Sequence, residues 1–427
     1  MLLGRSTGGI GTHVAQLSAD LRDRGVNVVV VTHPLTAANF DLGPVQLWWP
    51  GSAGWVRSLR DFRLLRGLAS TADIVHAHGH QGALLATLTT LSIRSAWSSG
   101  SVRSIRSFLA LQDRPQKAKF RGPKVIFSQH NAVLEGSGRQ GLKRLAQRYV
   151  ARRADLVTGA SSDLVVEALA FGAGRAELAE VPSPSVPELL VQPLADPAAR
   201  ALIRRGLLVS IAEDRGDQGV RGRQEDIGEH EDPETLEDQA GQGDRPGHAD
   251  SAVPLVVTIS RIAPQKNLSV LVEAASLLHQ PCLWVVLGGG DLRLLGQLRR
   301  QARAIGAPVH FVGARRNAGQ WLRAADVFVL PSQWEARALV VQEAMAAGTP
   351  VVATDVGGLP DLLAGTGLLV IPGDPEAMAR ATDRVLADPG LREELAARGR
   401  EVARALPDGG DAASRWLAWY TDALQMT

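Results

Sequence analysis

Cysteine is nearly absent from this 427-residue chain. Cys282 is the only one, so no disulfide framework holds the fold. It sits in the apolar run Cys282 to Leu287 and reads as a small buried hydrophobe, not a nucleophile. Long hydrophobic runs are missing too. None approaches the roughly 20 residues of a membrane-spanning helix, and no charged-then-apolar leader opens the chain, so a cytoplasmic protein is the expectation. Net charge is also small, +2 overall. What is present is ordinary for a globular protein, 45% hydrophobic and 21% charged residues, in a chain long enough for two domains.

The sequence is organised around the stretch from Val329 to Asp361, V-L-P-S-Q-W-E-A-R-A-L-V-V-Q-E-A-M-A-A-G-T-P-V-V-A-T-D-V-G-G-L-P-D. Its apolar spacing predicts a buried strand from Asp326 to Leu330 stopped by Pro331. A helix from Leu339 to Ala347, ended by Gly348-Thr349-Pro350, and a strand from Val351 to Thr354 follow. Strand, helix, strand in this order is a unit of parallel sheet, and such sheets bind ligands at their carboxyl edge. The helix start near Ala338 to Val340, with Leu339 and Val340 in its first turn, offers unpaired N–H groups and a positive dipole end, which suits a phosphate. Glu335 and Glu343, eight positions apart, add carboxylates that accept hydroxyl protons. Anion donors beside hydroxyl acceptors match a nucleotide-sugar, whose diphosphate lies between two hydroxyl-rich rings. On spacing alone, solvated surface glutamates remain the alternative.

Glu335, Glu343, Ala344 and Gly348-Thr349-Pro350-Val351-Val352 resemble the E-x7-E signature of the family 4 retaining glycosyltransferases, and the likeness extends along nearly the whole chain. The resemblance implies GT-B architecture, an α/β fold of two Rossmann-like domains with parallel sheets facing a cleft. One departure lies inside the signature. The family usually has Gly-Phe-Gly after the first glutamate, and this sequence has Ala336-Arg337-Ala338. Losing both glycines narrows the backbone's freedom where it approaches the donor, which bears on donor identity.

At the amino end, Met1-Leu2-Leu3 is the stub of a strand: either the true start lies upstream or the first strand is short. Gly4-Arg5-Ser6-Thr7-Gly8-Gly9-Ile10-Gly11 leads into a helix expected from Thr12 to Arg24, with Val14, Leu17 and Leu21 on one face and Gly25 past its end. A strand from Val26 to Thr32 follows. Alone, a glycine turn between strand and helix is a weak signal. By resemblance it is the amino-domain loop whose backbone N–H groups face the donor phosphate, with Gly9 and Gly11 as binding residues. Asp73-Ile74-Val75-His76-Ala77-His78-Gly79-His80 ends another strand. Three alternating histidines invite a metal reading, but no cysteine or carboxylate cluster accompanies them and the family is generally metal-independent. The expectation is therefore no metal and no cofactor, with His76 packing the strand end and His78 or His80 lining the cleft. Lys124 to His130 reads as a strand delivering His130, which by resemblance lies against the transferring sugar. Ala154-Asp155-Leu156-Val157 then resembles the family's next strand, with Ser161-Ser162 as a helix cap. Val181-Pro182-Ser183-Pro184 replaces the usual Pro-Asn-Gly turn.

Two charged stretches stand out. Between Arg94 and Lys124 lie Arg103, Arg106, Arg114, Lys117, Lys119 and Arg121 against Asp113 alone. Residues 94–124 read as an exposed loop, or as a patch for an anionic or lipid-linked acceptor and a peripheral contact at the inner membrane face. From Ile211 to Asp250 there are thirteen Asp and Glu against four Arg and almost no aliphatic residue. Such a segment is expected to stay disordered. Beyond it, Pro254 to Ser260 reads as a strand, and Arg261-Ile262-Ala263-Pro264-Gln265-Lys266 matches the family's R-x4-K pair, implying that Arg261 and Lys266 bind the donor diphosphate. Leu283 to Leu287 and Val309 to Gly313 are further strands, and the family places the nucleobase near their turns, with Arg315 at one of them. Asp374-Pro375 starts a capped helix. In the family the last helix crosses back to the amino domain, where Trp416, Trp419 and Tyr420 would anchor it.

The expected organisation is an acceptor-side domain at 1–187, a linker at 188–252 carrying the acidic insertion at about 211–250, a donor domain at 253–400, and a returning helix at 401–427. The implied reaction moves a sugar from a nucleotide-sugar to an acceptor hydroxyl with retention at the anomeric carbon. In the implied same-face route the leaving diphosphate helps deprotonate the acceptor, Glu335 holds the sugar and Glu343 the ribose. Nucleic acid is not among the expected partners. The alternatives are a GT-B epimerase or hydrolase, a non-catalytic nucleotide-sugar binder, or an interaction protein using the acidic tract.

Overall fold

The computed structural model describes residues 1–6, 8–47, 55–98, 122–131, 140–196, 198–207 and 253–426. Most of the basic stretch between 94 and 124 and all of the acidic tract lie outside the described residues. At the near end of the basic stretch, Lys124 pairs with Asp155 at 3.1 Å.

Two parallel sheets carry the molecule. The first contains β1 (Leu2–Leu3), β2 (Val30–Thr32), β3 (Val45–Leu47), β4 (Ile74–His78), β5 (Lys124–Gln129), β6 (Leu156–Gly159) and β7 (Ala176–Leu178), in the spatial order β3-β2-β1-β4-β5-β6-β7. The second contains β8 (Leu255–Ile259), β9 (Leu283–Leu287), β10 (Val309–Gly313), β11 (Val327–Leu330), β12 (Val351–Thr354) and β13 (Gly367–Val370), in the order β10-β9-β8-β11-β12-β13. Strand order reverses beside β1 in one sheet and beside β8 in the other, and at such a switch point the loops part and leave a crevice. The loops that follow β1 and β8 carry the glycine run and the Arg261–Lys266 segment.

Central strands of the second sheet are buried on both faces, with Val256, Val257, Val327 and Val329 fully inaccessible. That explains their unbroken apolar sequence. The helix Leu339–Ala347 ends where its sequence predicts, at Gly348, whose φ of 75° is left-handed. Asp374 caps the helix Pro375–Ala387 by accepting from the Ala377 N–H.

Some boundaries differ from expectation for local reasons. The first helix spans Gly9–Asp23, because the Gly11 and Thr12 N–H groups already bond the Gly8 carbonyl and turn the glycine run itself into helix. The following strand keeps only Val30–Thr32. Ser161 occupies a helix N-cap position, but its hydroxyl bonds Asp163 and not the backbone. The segment from 188, expected as linker, is folded as far as 207: Val186, Leu189 and Leu207 join the core of the second sheet. Arg204 bonds the Val253 and Ala324 carbonyls and pairs with Asp326 at 2.9 Å. The last helix, Gly409–Gln425, crosses to the first sheet and buries Trp416, Trp419 and Tyr420 against Leu3, Val14, Leu17 and Leu21.

Candidate functional site

A cleft of about 740 Å3 opens between the two sheets. One wall is the loop after β1, with Arg5, Ser6, Gly8 and Gly9, together with His130 and Asn131 beyond β5. The other carries Ser260, Arg261, Gln265 and Lys266 after β8, Glu335 to Val340 after β11, and Glu343 one helical turn further on. His130, Glu335, Arg261, Lys266, Gly9, Leu339, Val340 and Glu343 thus meet at one cavity.

Gly11 does not join them. A side chain there would lie 2.3 Å from the Phe40 ring, and the Gly11 N–H is already taken by the Gly8 carbonyl and Ser6 Oγ. Its lack of a Cβ serves close packing with Phe40, whereas the approach across the cleft belongs to Gly8 and Gly9. An atom added at Gly8 would lie 3.5 Å from Arg261 Nε, and one at Gly9 3.4 Å from Leu339. Gly11→Ala is therefore expected to cost about 1–3 kcal/mol through overpacking of the half-exposed Phe40 ring. Denaturant unfolding checks this, and an unchanged midpoint would refute it.

The loop carrying Glu335 is held from beneath. Gly357, at φ 55°, lets its backbone lie against the Glu335 carbonyl, where a Cβ would stand 1.9 Å from that oxygen. The Gly358 N–H donates to the same carbonyl at 2.9 Å. The Glu335 side chain accepts a short ion-paired bond from Lys266 and a 2.5 Å bond from Ser332 Oγ. The helix bearing Glu343, Leu339–Ala347, has no side chain capping its first turn, and Leu339 and Val340 at its start line the cavity, where its unpaired N–H groups and the positive end of its dipole lie.

Glu343 is mostly buried and accepts a 2.6 Å bond from Ser183 Oγ. Burial raises its pKa from the ordinary carboxylate range, only partly countered by that bond. A carboxylate with a raised folded pKa weakens the fold at neutral pH, and the penalty lifts as pH falls through that pKa. Glu343→Gln, whose amide oxygen still accepts from Ser183, should raise the melting temperature at pH 7. The gain should shrink toward the ordinary carboxylate range, and a gain that is absent or independent of pH would refute the account.

Arg337, standing where the family usually has Phe, lies half-buried on the cleft wall and pairs with Glu180 of the opposite domain. Gln342 reaches across to the Ser183 N–H at 3.1 Å and the Val181 carbonyl at 2.9 Å, and Trp334 Nε1 donates to Asp163 at 2.9 Å. The Val181-Pro182-Ser183-Pro184 turn thus braces the donor helix as well as linking the domains.

The three strand-end histidines separate. His76 is buried and uses both ring nitrogens, on Tyr420 OH and Ser128 Oγ, each at 2.7 Å. His80 bonds the Asn131 carbonyl at 3.1 Å. Neither His78 nor His80, one of which was expected to line the cleft, is among its lining residues; His78 lies behind His130, its Nδ1 3.1 Å from His130 Nε2. His13, from the first helix, meets both edge-on. Burial lowers the pKa of His130 to about 3 and of His13 to about 4, so both are neutral imidazoles at physiological pH. Arg315 is half-buried and outside the cleft lining. Cys282 is half-buried with its thiol pKa raised to about 12 by burial, as befits an inert side chain.

Sequence reasoning missed Arg5, His13, Ser183, Ser332 and Gln342. Of these, Ser332, three residues before Glu335, and His13, a histidine within one turn of the glycine run, left some signal in the sequence.

Comparison with known proteins bears on the family and the fold. Residues 8–184 match the model of the glycosyl transferase 4-like domain, and residues 244–402 that of the glycosyl transferases group 1. A D-inositol 3-phosphate glycosyltransferase of Xylanimonas cellulosilytica is 38% identical over 178 residues, 40% of this chain and 42% of that protein. An alpha-D-kanosaminyltransferase of Streptomyces kanamyceticus is 30% identical over 234 residues, 49% of this chain and 58% of that one. The chain thus aligns with little more than half, or less, of these relatives' lengths. Among solved structures, Anabaena HepE in complex with UDP superposes with a TM-score of 0.69 at 16% identity over 99% of both chains. Sucrose-phosphate synthase of Thermosynechococcus elongatus gives 0.68 at 20% identity, over 99% of this chain and 96% of that one. With both domain models matched, two facing parallel sheets and a common cleft, the chain belongs to the group 1, or family 4, glycosyltransferases of GT-B fold.

Proposed function

We propose that the protein transfers a sugar from a nucleoside diphosphate sugar to an acceptor hydroxyl, with retention at the anomeric carbon. The observation that carries this reading is the meeting, in one cleft, of two cations, an uncapped helix start and two carboxylates. Arg261, Lys266 and the N–H groups of Leu339 and Val340 supply a diphosphate site of cations and dipole. Glu335, on the loop beside Lys266, accepts hydroxyl protons of the sugar, and Glu343, on the helix Leu339–Ala347, those of the ribose. Gly8 and Gly9 let the opposing backbone close on the phosphates.

Lys266 is paired to Glu335, and in the reaction it divides its charge between that carboxylate and the leaving diphosphate. As the anomeric bond breaks, negative charge builds on the diphosphate where Arg261, Lys266 and the helix dipole are already in place. The departing oxygen takes the acceptor's proton on the same face of the sugar. Neutral His130 hydrogen-bonds the sugar from the other wall.

A thermal-shift screen against adenosine, guanosine and uridine diphosphates and their sugars tests the donor. A nucleotide at 100 times its Kd stabilises the native state by about 2.7 kcal/mol. At least one nucleotide should raise the melting temperature, less so in Arg261→Ala. If none does, the donor assignment fails. The reaction itself is tested with the donor so found, through acceptor-dependent release of nucleoside diphosphate. Release of free sugar without an acceptor would favour a hydrolase.

A further inference from the structure

Behind His130 the structure holds a group of side chains that sugar transfer does not employ. His13 comes from the helix Gly9–Asp23, one turn past the glycine loop. His78 is the last residue of β4, and His130 directly follows β5. The strand register places His78 beside Ser128, two residues short of His130, so the two imidazoles stack with centroids 5.3 Å apart and planes 15° from parallel. All three residues are buried, at 5%, 2% and 8% exposure. One ring nitrogen of each lies within 4.8 Å of the other two.

Hydrogen bonding leaves this group incomplete. His13 Nε2 is buried without a hydrogen-bond partner, and leaving such an atom unpaired costs free energy. His76, its ring centroid 4.1 Å from that of His78 and tilted by 36°, is no candidate to complete the set, because both its nitrogens are committed to Tyr420 and Ser128.

We propose that His13, His78 and His130 form a site for a borderline divalent cation of the Zn2+ kind, with its open coordination position directed into the cleft beside His130. Three neutral imidazoles are a donor set suited to such ions, and a site with three protein ligands keeps one position free. Zn–N distances of about 2.0–2.1 Å in a tetrahedron set the nitrogens roughly 3.4 Å apart. The 3.1 Å edge between His78 Nδ1 and His130 Nε2 is near this value. Closing the remaining edges requires movement of His13, whose Nε2 has no hydrogen bond to lose. Binding through His78 Nδ1 and His130 Nε2 requires the proton they share to leave that hydrogen bond for the other nitrogen of its ring. An ion here takes the lone pair of His130, so metal and the proposed sugar contact compete for that side chain.

The test is direct binding, independent of turnover. Tag-free full-length protein, stripped with a chelator and dialysed, is titrated with Zn2+ against a chromogenic chelator. Co2+ loading is followed by visible absorption. The expected result is one ion per chain, with the intense Co2+ bands of a tetrahedral site. His13→Gln should weaken binding by more than the roughly 10- to 100-fold that loss of an outer-shell partner costs. His279→Ala, at the exposed His279–Asp383 pair, should leave it unchanged. Weak octahedral Co2+ bands in the native protein, equal affinity in His13→Gln and the native chain, or loss of the ion in His279→Ala would each overturn the proposal. The Co2+ spectrum of the native protein decides even if His13→Gln fails to fold. A protein that binds nucleotide but no ion would refute this site while leaving the transfer reading intact.

Discussion

Replacing Arg261 or Lys266 by alanine should lower the rate of the proposed transfer by about 100- to 1000-fold, the usual cost of removing one preorganised donor from a developing oxyanion. Both residues sit on the loop after β8 and line the cleft facing the helix start at Leu339. The two variants should differ in what else they disturb. Arg261 is exposed on the wall, so its loss should leave the melting temperature unchanged. Lys266 is the ion-pair partner of Glu335, a residue only 8% exposed. Lys266→Ala leaves that carboxylate with Ser332 alone and should cost some stability. Combining Lys266→Ala with Glu335→Gln should recover stability without recovering rate. A recovery of stability in the double mutant would show that the fold effect of Lys266→Ala comes from the unpaired Glu335 carboxylate. A folded Arg261→Ala/Lys266→Ala protein turning over at near-native rate would sink the assignment.

How far the sequence could be read depended on what each residue answers to. In the second domain, Leu283–Leu287 and Val351–Thr354 are buried runs preceded by Pro, and they fall where periodicity put them. Such strands satisfy one rule, burial on both faces, which composition displays directly. In the first domain the strand before Thr32 shrank to three residues, and the glycine run became helix. Gly11 shows the limit most plainly, since a glycine beside a phosphate and a glycine against Phe40 look the same in sequence. The bonds of Glu335 and Glu343 to Ser332 and Ser183 were half legible. Ser332 is a near neighbour of Glu335, whereas Ser183 reaches Glu343 only because the domains meet, 160 residues apart. The convergence of His13, His78 and His130 was hidden for the same reason. Alternation along one strand suggested His76, His78 and His80, yet the cluster draws one histidine from each of three elements.

Trp416→Ala should produce the largest loss of stability of any single change considered, about 3–5 kcal/mol. The last helix opens with a reciprocal capping box between Asp408 and Asp411 and lays Ala413, Trp416, Trp419, Tyr420 and Ala423 on the first domain. Trp416 is 1% exposed, with its ring 4.9 Å from that of Trp419 and 4.4 Å from that of His76. Truncation opens a cavity walled by these rings, and rigid aromatic walls relax poorly into such space. For a domain of 150–250 residues each kcal/mol moves the melting temperature by about 2–4 °C, so a fall of about ten degrees is expected. The loss should fall on the first domain, because the core of the second sheet includes no residue of this helix. Two transitions should therefore separate in denaturant, the lower one lacking the stabilisation that nucleotide gives the upper. A second consequence follows the packing inward. His76 is held between Trp416 and His78 and tied to Tyr420, and His78 bonds His130, so loosening Trp416 should reach the cleft wall opposite the donor. The turnover rate of the surviving folded protein should then fall while its affinity for nucleoside diphosphate, set by the other domain, stays close to native. An unchanged melting temperature, or a loss of nucleotide affinity equal to the loss of rate, would show that the last helix does not support the cleft in this way.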